Sequence, residues 1–201
     1  MWAVLRLLIG RIGWLNSVRV LGLFLRWQWS REPFGGLPPA EDDRERQSRA
    51  QIAPAILLYR ALKRRAPESA WELTESVVLM EGVRFLRKSL GRLELERLQT
   101  LSPVERREFV EIRGAKFFNA TLRWDEVAAD RVQFTVTSCR FPPLCVAAGV
   151  PELAPMFCRV DDAYFGKVEP GVTLERPATL AGGQDHCLFK LSIRDHGESS
   201  S

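Results

Sequence analysis

Residues 131–137, RVQFTVT, alternate strictly: Val132, Phe134 and Val136 are apolar, and Gln133, Thr135 and Thr137 are polar. A strand sends successive side chains to opposite faces, so a period of two marks a half-buried strand. Downstream, VTLERPATLAGGQDHCLFKLSI (172–193) reads as two more strands joined around Gly182-Gly183. Between them, Pro and Gly divide PPLCVAAGVPELAPMFCRVDDAYF (142–165) into short helical turns.

Upstream the period is helical. EDDRERQSRAQIAPAILLYRALKRR (41–65) starts acidic and ends basic, the order the helix dipole favours. Its residues Ile52, Ile56, Leu57, Tyr59 and Leu62 keep mostly to helical spacing, with Pro54 expected near a start or kink. ESAWELTESVVLMEGVRFLRKSL (68–90) forms a second helix, with Trp71, Val78, Leu79, Phe85 and Leu86 as expected core and Gly91 as terminator. A third begins at Ser102-Pro103-Val104-Glu105, a capping-box arrangement with proline at the first helical position. Helices followed by strands predict an α+β fold: N-terminal helices, then a small antiparallel sheet of three or more strands with interspersed short helices.

The chain has 201 residues, enough for one domain with an appendage. Its net charge of +4 is unevenly placed. Residues 1–31 hold five arginines (Arg6, Arg11, Arg19, Arg26, Arg31) and no acid, which leaves 24 basic against 25 acidic residues elsewhere. The body is neutral, so the charge gives no reason to expect a nucleic-acid partner. The expected layout is a basic Trp/Arg-rich amphipathic appendage (1–31), a linker (32–40) opened by EPFGGLPP (32–39), a body (41–195) and a frayed tail (196–201).

The appendage carries Trp2, Trp14, Trp27 and Trp29, and arginines interrupt its apolar run every five to eight residues. Its longest uncharged stretch falls short of the ~20 residues that cross a bilayer. At 100° per residue Arg11, Arg19 and Arg26 fall within roughly an 80° arc. An interfacial helix on an anionic membrane surface has this signature, and so has a transit peptide or a helix packed on the body. With no clean signal peptide, the expected location is cytoplasmic, peripheral to the membrane.

The four cysteines (Cys139, Cys145, Cys158, Cys187) all fall in the last 63 residues and are expected as thiols. Cys139-Arg140, Cys158 with Asp161-Asp162, Arg176 and His186-Cys187 stand at element ends, where side chains face loops and clefts. Cys145, between Leu144 and Val146, suits packing. Spacings of five, twelve and twenty-eight intervening residues match no paired zinc or iron–sulfur pattern. No cofactor is therefore expected, although Cys, His and Asp are compatible with zinc. A cysteine nucleophile needs a base or a positive field, and Arg140 or Arg176 supplies the field. Strand alternation turns His186 away from Cys187.

These residues carry a resemblance. CRF at Cys139–Phe141, GVPEL at Gly149–Leu153, FCRVD ending at Asp161, LERPATL with Arg176, and Gly183-x-x-His186-Cys187-x-Phe189 resemble the L-2-amino-thiazoline-4-carboxylic acid hydrolase family, over about residues 132–193. Leu188 stands where family members often have an acid, Cys145 is extra, and the arginine-rich N-terminus has no counterpart. The resemblance implies hydrolytic opening of a small cyclic amidine, a thiazoline, to an N-carbamoyl-cysteine. The amidine-like carbon needs protonation and a nucleophile, water or thiolate. A substrate carboxylate suits a forked arginine, and Asp161 or His186 suits acid–base work. Cys187, Cys139, Cys158, Asp161 and His186 are the expected catalytic set, with Arg176 and Arg140 for substrate. The alternatives are a non-catalytic module binding a small ligand or metal, and a membrane-docked adaptor.

Overall fold

The computed structural model describes residues 2–169 and 171–193; the expected tail, and residues 194 and 195 before it, lie outside the described residues. The elements run α1 (Trp2–Trp29), α2 (Asp43–Arg65), α3 (Ala70–Leu90), α4 (Pro103–Gly114), β1 (Ala120–Val127), β2 (Arg131–Cys139), α5 (Phe141–Ala147), α6 (Ala154–Ala163), β3 (Val172–Ala178) and β4 (Cys187–Ile193). The fold is α+β, and the chain divides into two compact units. One comprises residues 1–81 with 141–156, the other residues 82–140 with 157 onward.

In the first unit, α2 starts at Asp42, whose carboxylate accepts the Glu45 N–H (2.6 Å), and ends in Lys63, Arg64 and Arg65. Ile52, Ile56, Leu57, Tyr59 and Leu62 are all buried. Pro54 does not stand at a start: it lies inside the helix on its exposed side. Trp71 is also not core; it is exposed, its ring standing T-shaped to Tyr59 with centroids 6.4 Å apart. α1 lies against α2, burying Leu8, Ser17 and Val20. It is interrupted at Gly13, whose φ of 74° is open to glycine. By length and composition alone α1 is long and apolar enough to cross a membrane. In the 32–40 segment Pro33 and Phe34 are buried, the Arg49 guanidinium lying over the Phe34 ring, while Glu32, Gly35, Gly36, Pro38 and Pro39 are exposed. Trp27, Tyr59, Arg60, Lys63, Arg64 and Glu152 line a cleft of about 470 Å³ in this unit.

The second unit is built on a four-stranded antiparallel sheet in the order β1-β2-β4-β3. Val132, Phe134 and Val136 of β2 and Cys187, Phe189 and Leu191 of β4 are buried. Phe134 pairs with Phe189 across the register, their rings stacked 4.7 Å apart. The α4 capping box is complete: Ser102 Oγ accepts from Glu105 N, and Glu105 accepts from Ser102 N. Gly91 ends α3 with φ of 69°.

Gly82 of α3 lets Val160 of α6 come so close that a Cβ would stand 2.7 Å from both Val160 methyls. Val is stiff at χ1 and cannot swing away. Gly82→Ala is therefore expected to destabilise by about 1–3 kcal/mol, as overpacking does, read as a lower urea midpoint at unchanged slope.

Candidate functional site

Five candidate residues, Cys139, Cys158, Asp161, Arg176 and Cys187, lie together in the second unit. Two irregularities in the strands bring them there. Between the pairs Thr121↔Ser138 and Leu122↔Val136, β2 carries one extra residue, Thr137. Simple alternation from Val132 would turn Ser138 inward and Cys139 outward. The bulge reverses this: Ser138 Oγ bonds Thr121 Oγ1 at the exposed surface, and Cys139 pairs with the buried Ala120. In β3 a second extra residue falls between the pairs Glu175↔Lys190 and Ala178↔Leu188. It coincides with Arg176-Pro177, and proline, lacking an N–H, is confined to such places in a sheet.

Arg176 is the hub. Its side chain is only 6% exposed, and its guanidinium lies 5.3 Å over the Phe189 ring. Nη1 donates to Asp161 Oδ2 (3.2 Å), and Nη2 donates to Asp162 Oδ2 (2.7 Å) and to the Cys158 carbonyl (2.9 Å). The fork expected for a substrate carboxylate is thus turned on the protein's own acids. A buried guanidinium left without them would be costly, which is why two carboxylates gather on it. Its Nε–H is buried without a partner.

Asp161 projects from α6 immediately before a π-helical turn, Tyr164–Val168, a local distortion frequent at functional sites. Burial pushes its carboxyl up to about 7, against the pull of Arg176 and with help from the neighbouring charge of Asp162. One edge remains open, the side chain being 26% exposed.

The Cys158 thiol is within electrostatic reach of Asp161, Arg176, Cys187 and Cys139; burial, reinforced by Asp161, pushes it up to about 12. Cys187 is also raised by burial, but the Leu180 N–H, 3.2 Å from its Sγ, and the Arg176 charge work the other way. That N–H is aimed by a short turn capped by Thr179, whose Oγ1 accepts from Gly182 N (3.0 Å), and closed by Gly183 at φ 91°. Asn119 Nδ2 lies 3.7 Å from the Cys139 sulfur.

His186 and Cys145 stand apart from this cluster, and Arg140 borders it through its backbone. His186 pairs through Nδ1 with Asp185, and its charge acts on Asp125, which accepts a bond from Thr135. Alternation turns Thr135 away from Phe134, which places His186 toward the face opposite the thiols. Arg140 follows Cys139 and donates its backbone N–H to Asn119 O (2.8 Å). Cys145 belongs to the first unit and is fully buried. Among the described residues no group of three or more His, Cys, Asp and Glu side chains is placed to hold a metal ion. Sequence reading missed Asn119, the Leu180 N–H and Phe189 as parts of the site. Only Phe189 left a signal, as the last residue of the Gly183-x-x-His186-Cys187-x-Phe189 run.

Three thiols, a buried arginine and a carboxyl poised near neutrality can together move protons and stabilise sulfur. No curated protein and no solved structure matches the chain. Residues 45–191, most of its length, match the family model described as L-2-amino-thiazoline-4-carboxylic acid hydrolase, and the chain belongs to that family.

Proposed function

We propose that this protein is a hydrolase that opens a small cyclic amidine of the thiazoline carboxylate type, with Cys187 as nucleophile and Asp161 as the acid–base group. The observation that carries this is a carboxyl, Asp161, held by Arg176 at 3.2 Å beside the thiols; burial raises it to about 7, and a group of that kind both accepts and returns a proton at neutral pH. Cys187 is chosen among the thiols because the Leu180 N–H on its sulfur offsets part of the burial that raises it, whereas burial and Asp161 push Cys158 up to about 12.

The steps balance. Cys187 gives its proton to Asp161 while its sulfur bonds to the ring carbon. The bond from that carbon to the ring sulfur then breaks, and the departing sulfur takes the proton from Asp161. Water adds to the resulting isothiourea and expels Cys187 as a thiol, leaving a urea. One water is consumed, one C–S bond is lost and one product thiol appears.

Arg176 acts here as a positioning residue, orienting Asp161 and holding part of its charge. Arg140, the residue after Cys139, is the cation assigned to the substrate carboxylate. The test is incubation of the purified chain with 2-amino-thiazoline-4-carboxylate, titrating released thiol. One thiol per ring opened supports the reading. Saturable binding without thiol release gives the site to a non-catalytic binding module.

Arg176→Lys keeps one positive charge but loses the fork that spans Asp161 and Asp162. The expected result is a fall of roughly ten- to hundredfold in kcat/KM, since bonds to charged groups are each worth ~1.5–3 kcal/mol. The ionisation of Asp161 should move as well. A rate loss with an unmoved pH profile would mark Arg176 as packing alone.

A further inference from the structure

The segment of α1 beyond Gly13 presents two apolar stripes on different sides. One, through Ser17 and Val20, is buried. The other is Trp14, Val18, Leu21, Leu25 and Trp29, all exposed, from 40% at Leu21 to 92% at Trp29. Their spacings of four, three, four and four residues place them within roughly an 80° arc at 100° per residue. The stripe runs for about 22 Å at ~1.5 Å per residue, with a tryptophan at each end. Arg19 and Arg26, also exposed, fall together along one flank, roughly 100° from its centre. A contiguous exposed apolar stripe on a soluble surface marks something it binds.

We propose that this stripe lies in the interface of an anionic lipid bilayer, parallel to its plane, with Arg19 and Arg26 at the level of the lipid phosphates. Charge selects this occupant: residues 1–31 carry five arginines and no acid, and although Arg11 pairs with Glu72 of α3, Arg19 and Arg26 stand exposed beside the stripe, complementary to anionic headgroups. Tryptophan at both ends suits headgroup depth. The packing selects lying over spanning. α1 is held along its other side by α2, Trp27 by Arg64 among others, and α2 begins Asp43-Arg44-Glu45-Arg46 and ends Lys63-Arg64-Arg65. Carrying α1 through hydrocarbon would take those charges with it or strip the two helices apart. This inference rests on α1 and is independent of the hydrolase reading.

The test is flotation of the full chain with vesicles of phosphatidylcholine alone and of equal parts phosphatidylcholine and phosphatidylglycerol. The parent should float with the anionic vesicles, weakly with the neutral ones, and less as salt is raised. Leu21→Glu/Leu25→Glu, at exposed positions with good helix formers, should keep the thermal midpoint and lose binding by about a hundredfold, a tenfold step for each leucine withdrawn from the interface. Arg19→Gln/Arg26→Gln should remove the preference for anionic vesicles while leaving weak binding to both. Equal binding by parent and Leu21→Glu/Leu25→Glu overturns the proposal. So does resistance of bound protein to alkaline extraction, which means spanning, and so does a dimer that this variant dissolves, which means the stripe meets a second copy.

Discussion

Cys187→Ser is expected to lower kcat/KM for thiazoline opening by on the order of 10³-fold or more, with the fold intact. A serine hydroxyl is far less acidic than a thiol, and nothing at the site compensates. The Leu180 N–H and Arg176 stabilise a sulfur anion, while Asp161, near 7, is too weak a base for an alcohol. Structurally the exchange is mild, because serine Oγ keeps the Leu180 N–H as a donor. Cys145→Ser is the control. That thiol is fully buried in the first unit, so serine there should cost about 1–3 kcal/mol of stability and leave the rate near the parent's. Parental kinetics in both variants, on a chain that still opens the ring, would hand the attack to water.

Asp161→Asn should cost about 10²- to 10⁴-fold in rate, the usual worth of a positioned acid–base group, and should erase the ionisation near pH 7 from the pH–rate profile. Its stability signature has a definite sign. The carboxyl titrates near 3.8 in the unfolded chain and near 7 in the folded one, so between these values the native state binds more protons. Stability therefore falls as pH rises through that window, and the loss is complete above about 7. Asparagine removes this slope. Urea midpoints of parent and variant from pH 4 to pH 8 check it, and parallel curves would show that Asp161 has an ordinary carboxyl.

The fold was legible where a local rule acts alone. The period of two in β2, the capping box at Ser102 and the stop at Gly91 all rest on neighbouring residues, and each is found. β1 escaped notice because its alternation, Leu122 and Trp124 inward, is broken by a bulge at Asp125 before a strand's worth of pattern accumulates. Trp71 misled because helical spacing assigns a face but not how completely that face is covered. At the site, residue types were legible and directions were not. Only the register across two strands turns Cys139 toward Cys158, and only the tertiary pairing of β3 with α6 commits Arg176 to Asp161 and Asp162 rather than to a ligand. For His186 the direction relative to Cys187 was legible, because strand alternation alone sends the two to opposite faces.

The spare residue at Thr137 separates two inheritances within one strand. Upstream of it, parity is owned by the stacked aromatic interior around Phe134. Downstream, parity belongs to the chemistry at Cys139. Deleting Thr137 would leave the Phe134–Phe189 stack undisturbed while rotating Cys139 out of the cluster. The strand therefore works as a keyed joint, in which the interior and the reactive end can change separately. When relatives are aligned over this strand, a one-residue gap at position 137 matters more than any substitution beside it.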